Sequence, residues 1–72
     1  ARAERVAMAS ALSLGVAHEL ATPLGVIAAR VEQLQAGLDE ERRRAALRRI
    51  DEQVEQMRRI IQGFLALARG EA

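Results

Sequence analysis

The chain has 72 residues, half of them hydrophobic and 29% charged, which is too apolar for a disordered segment. It has no cysteine, one histidine and one aromatic residue, Phe64, so disulfides, thiolate zinc sites and imidazole clusters are all excluded. Eleven arginines and ten acids leave a net charge of +1, a balance that argues against a nucleic-acid grip. A chain this short buries only about 60% of the surface its unfolded form exposes, and without disulfides or a metal the remaining staple is a partner subunit. Alanine, leucine, glutamate, arginine and glutamine dominate, and all are strong helix formers, so the chain reads as all-α.

The first predicted helix runs from about residue 4 to 36. Its apolar seam is Ala17, Leu20, Leu24, Ile27, Val31, Leu34 and Leu38, with steps alternating three and four. Extended backwards it passes through Val6, Ser10 and Ser13, a weaker stretch flanked by Leu12 and Val16. The break falls at 37–39. Gly37 suits the position after a helix end, because it takes a positive φ without a Cβ penalty. Asp39 is a fitting N-cap, and Glu40 and Glu41 then sit where the helix dipole favours acids. The second predicted helix covers about 40–69 with the seam Leu47, Ile50, Val54, Met57, Ile61, Phe64 and Ala68, and Gly70 follows it.

So short a connection makes the helices antiparallel neighbours. Two stripes of this width exceed what one hairpin can cover, so the expectation is a homodimer, two hairpins forming a four-helix bundle. The whole chain, 1–72, is read as that one domain. On the second helix Glu55 stands four residues before Arg59, the favourable order for an ion pair, and Arg42, Arg43, Arg44, Arg48 and Arg49 cluster on what reads as a solvated face. No apolar run reaches the roughly 18 residues of a membrane span, and there is no signal-peptide pattern.

One stretch breaks the rules of helix construction: Ala17-His18-Glu19-Leu20-Ala21-Thr22-Pro23-Leu24. Proline inside a helix costs about 3 kcal/mol, because it removes a hydrogen bond and crowds the carbonyl four residues back, here that of Glu19. The seam runs straight through Pro23, so the helix is expected to continue with a bend. The register places His18 and Thr22 away from the seam, one turn apart on the same side, with Glu19 beside them. Neutral imidazole is nucleophilic, and a carboxylate can fix its tautomer. The zinc motif HExxH fails, because Thr22 stands where the second histidine belongs. A serine-histidine-acid triad fails for want of a positioned serine.

Residues 16–24, Val-Ala-His-Glu-Leu-Ala-Thr-Pro-Leu, resemble the H box of sensor histidine kinases. That box lies on the first helix of the dimerisation and histidine-phosphotransfer domain, and the two-helix pattern resembles that domain over essentially the whole chain. The resemblance implies that His18 accepts the γ-phosphate of ATP, that Glu19 acts as general base or holds the second ring nitrogen, that Thr22 orients water for dephosphorylation of the response regulator, and that Pro23 bends the helix. It implies three partners: a second copy, the ATP-binding catalytic domain of the same kinase, and the receiver domain of a response regulator, whose aspartate takes the phosphate. ATP and Mg²⁺ would belong to that separate catalytic domain, with no cofactor or metal held by these residues. The chain opens without methionine and reads as the cytoplasmic piece of a longer soluble or membrane-bound sensor. Ala21, Gly15 and Gly25 depart from the residues usual in the family; Gly15 and Ala21, being small, would leave room for a docking domain. A signalling coiled coil or linker bundle without chemistry is the alternative, and the joint spacing of His18, Glu19, Thr22 and Pro23 speaks against it.

Overall fold

The computed structural model describes residues 2–70, with side chains described from residue 11 onward except residue 12. Val6 and Ser10 of the extended seam, and Leu12 beside it, therefore lie outside the described side chains. The described residues form two helices, α1 (Arg2–Ala36) and α2 (Glu40–Ala68), packed side by side into a rod 57 × 21 × 10 Å. The hairpin reverses over three residues. Gly37 adopts φ 98°, and its N–H donates to the Leu34 carbonyl at 3.2 Å. Asp39 stays extended (φ −65°, ψ 167°) and accepts from the Arg42 N–H through its side chain at 2.9 Å, satisfying one of the orphan donors of the new helix. At the far end Gly70 takes φ 78°, and its N–H donates to the Leu67 carbonyl at 3.0 Å.

The first turns of α2 are laced by ion pairs along the helix. Glu40 accepts from Arg43 Nη2 at 2.9 Å and from Arg44 Nε at 2.8 Å. Hydrogen bonds from Arg43 first, and then Arg44, hold its carboxyl below the usual range. The pair expected between Glu55 and Arg59 does not form. Glu55 meets Arg58 instead, at 3.5 Å, and Arg59 donates to Gln56 Oε1 at 2.9 Å. Residues three apart are helix neighbours as much as residues four apart, so the nearer arginine competes for the same carboxylate.

The inner face of the hairpin is rotated from the centre of each seam. On α1 it comprises Val16, Leu20, Pro23, Ile27, Arg30 and Leu34; on α2 it comprises Ala46, Ile50, Gln53, Met57, Ile60 and Phe64. Pro23, Ala46 and Gln53 are the buried residues among those described, and no described side chain is completely enclosed. The other half of each seam looks outward: Leu24 is 50% exposed and Ile61 41%, and Val31, Leu47, Val54 and Leu65 are exposed beside them. Taken alone, the described part of the hairpin has an inner face but no sealed core.

One contact fixes how closely the helices approach near residue 15. A Cβ built on Gly15 would lie 3.1 and 3.2 Å from two ring carbons of Phe64, whereas one built on Gly25 meets nothing within 4 Å. Gly25→Ala should therefore gain the helix propensity that glycine forgoes, about 1 kcal/mol. Gly15→Ala should gain much less, because the Phe64 ring must yield. Urea unfolding of both variants at one fixed chain concentration reads the difference. Equal gains would mean that the ring moves freely.

Candidate functional site

His18 lies on the back of α1 relative to α2, and helix geometry gives the reason. Val16 and Leu20 are both half-buried on the inner face, and His18 stands two residues from each. Two residues are about 200° of rotation, so a side chain midway between two inward ones points outward. His18 is exposed, and Thr22, one turn further on, is exposed on the same side. Glu19 is also exposed and lines a shallow groove with Arg59, Ile60, Gly63, Phe64 and Leu67 of α2. Among the described residues the side chains of His18, Glu19 and Thr22 make no hydrogen bond or ion pair, so none is committed to a structural partner.

Pro23 is placed differently from the other three. The helix runs through it without interruption, and its ring is buried on the inner face. Its ring fills space between the helices, and its missing N–H leaves the Glu19 carbonyl without its usual helical donor, one residue from His18. Gly15, expected to leave room for a docking domain, instead receives the Phe64 ring and is half-buried. Ala21 is exposed and Gly25 is open. The contact between Gly15 and Phe64 joins residues 49 apart in the chain, and no local pattern announces it. Among the described residues, no three histidine, cysteine, aspartate or glutamate side chains converge on a common point, and no helix is long and apolar enough to cross a membrane.

A hairpin of two long helices, with a histidine facing outward beside a glutamate and followed by a threonine and a buried proline, defines a class that comparison bears out. The family model for the His Kinase A (phospho-acceptor) domain matches residues 8–72. The chain belongs to that family, the phosphoacceptor and dimerisation domains of histidine kinases. No curated protein and no solved structure matches it.

Proposed function

We propose that His18 is the phosphoacceptor. A ring nitrogen attacks the γ-phosphorus of ATP in line, the bond to the bridging oxygen breaks, and ADP departs with the phosphoryl group left on the imidazole. ATP and its Mg²⁺ are carried by a separate catalytic domain, and no residue of this chain is assigned to hold them. The phosphoramidate then passes its phosphoryl group to an aspartate of a receiver domain, restoring the neutral ring. The observation that carries this reading is the exposure of His18 on the back of α1, where an in-line approach from outside is open.

Glu19 is the base in this scheme. Its carboxylate has no competing ion pair, so it is available to take the ring proton or to hold the second nitrogen in one tautomer. Thr22, on the same side one turn along, orients a water for the reverse task, hydrolysis of the receiver's acyl phosphate. Pairing of two chains completes the bundle. Leu24, Val31, Leu47, Val54, Ile61 and Leu65 form the stripe that a second copy covers, and an apolar groove between the helices is already lined by Leu24, Ile27, Val54 and Ile61.

The test is labelling. Incubated with γ-labelled ATP, Mg²⁺ and the catalytic domain of a histidine kinase, the chain should take up phosphate that is lost in acid and kept in alkali. Adding a matching receiver domain should then discharge it. No uptake, or an acid-stable label, would overturn the reading.

A further inference from the structure

The spacing on α2 pairs Glu55 with Arg59, but Glu55 goes to Arg58 at 3.5 Å and Arg59 is left holding the neutral Gln56 at 2.9 Å. Arg59 therefore has no carboxylate partner among the described residues. Across the groove between the helices stands a carboxylate with no cation. Glu19 makes no ion pair or hydrogen bond among the described residues either. The two line one shallow groove, and no other charged side chain lines it with them; the remaining wall is Ile60, Gly63, Phe64 and Leu67.

No side chain is interposed between the two charges at the middle of that wall. Gly63 stands one turn beyond Arg59, and a Cβ built on it meets nothing within 4 Å. Ile60 and Phe64 are half-buried, and the Phe64 ring packs against Gly15, so the floor is apolar and held in place from below. Opposite charges beside an apolar wall attract more strongly than the same charges surrounded by water.

His18 lies outside this arrangement. It is exposed on the side of α1 turned away from α2, and Glu19 follows it by about 100° around the helix, on the side that borders the groove. Of His18, Glu19 and Thr22, Glu19 alone lines the groove. The second helix therefore bears on the chemistry through Glu19. Arg59 and His18 stand on opposite sides of that residue, so a carboxylate drawn to the guanidinium is drawn away from the ring.

We propose that Arg59 is a positioning residue for the phosphoacceptor reaction. Paired with Glu19 across the groove, it holds the base off His18; turned to Gln56, as in this structure, it leaves the base free. This rests on the reading of His18 as phosphoacceptor and Glu19 as its base, and adds the residue of α2 that decides when the base is available. Exposed ion pairs are weak, so Arg59 restrains the reaction rather than blocking it.

The test measures initial rates of label uptake from γ-labelled ATP and Mg²⁺ against the concentration of the catalytic domain. It uses wild type, Arg59→Gln and Arg59→Lys, and Arg59→Gln again in a Glu19→Gln chain. Arg59→Gln should raise kcat about threefold and change KM by less than about 1.5-fold, the scale set by loss of one weak pair. Arg59→Lys keeps the charge and should bring the rate back toward wild type. In the Glu19→Gln chain the arginine change should have no effect, because its partner is gone. The ratio of Arg59→Gln to wild type should fall toward one as salt rises from about 0.05 to 0.5 M. A lower kcat in Arg59→Gln would overturn the proposal, since the arginine would then assist the base. A higher KM alone would make Arg59 a docking contact for the catalytic domain, and an equal gain in the Glu19→Gln chain would show that it does not act through Glu19; either result overturns it. The pair is also read without ATP. The Nε–H resonance of Arg59, assigned by its loss in Arg59→Lys, should shift in Glu19→Gln, and a resonance that stays in place overturns the proposal. A wild-type chain that never takes label refutes the phosphoacceptor reading instead, while the resonance still decides the pair, so the two failures are distinct.

Discussion

Replacing His18 by glutamine should leave a chain that is fully helical, pairs as before and takes up no phosphate. The structural half follows from exposure: His18 is exposed on the side of α1 turned away from α2, and surface substitutions of this kind change stability by only about 0.5 kcal/mol. The chemical half follows from the side chain. An amide nitrogen has its lone pair delocalised into the carbonyl and does not attack phosphorus, so label should fall by at least about a thousandfold, to background. Circular dichroism and labelling of one preparation check both halves. Persistent label would place the acceptor elsewhere. An unfolded variant would contradict the surface position of the ring.

Ile61→Glu should separate the paired chains. Ile61 borders both apolar grooves between the helices, one with Leu24 and Val54 and the other with Val16 and Phe64. In a twofold pair the change enters twice. An uncompensated buried carboxylate costs roughly 2–4 kcal/mol at each site, so association should weaken by about 10³-fold or more. Leu67→Glu is the control. Leu67 is more exposed, at 59%, but it lines the groove beside Glu19 rather than those two. Light scattering over a dilution series should find Ile61→Glu monomeric or unfolded and Leu67→Glu still paired. The opposite order would move the pairing face to the other side of the hairpin.

Periodicity was enough to mark both stripes, the turn and the side of α1 that carries His18, because these depend on local spacing. Which half of each stripe meets the neighbouring helix was not legible. The inner face includes Pro23, Arg30 and Gln53, residues that no hydropathy pattern marks as interior. They lie inward because a seam that serves two neighbours centres between them, and the positions flanking it on one side are drawn into the hairpin. The arginine cluster was visible as a run on α2, but its division was not. Two of its members, Arg43 and Arg44, are tied to Glu40, and a third, Arg42, approaches Asp39 at 3.7 Å. The packing of Gly15 beneath Phe64 depends on the helices' relative register, which only the fold supplies.

Among the described residues no side chain is fully enclosed, and that has a kinetic consequence. If the interior closes only when two copies meet, separation and unfolding become a single event, and a lone chain has little to hold it together while it waits for a new mate. Swapping of subunits between mature kinases is then as slow as denaturation itself, so mixed pairs with a related sensor would have to arise while the chains are being made.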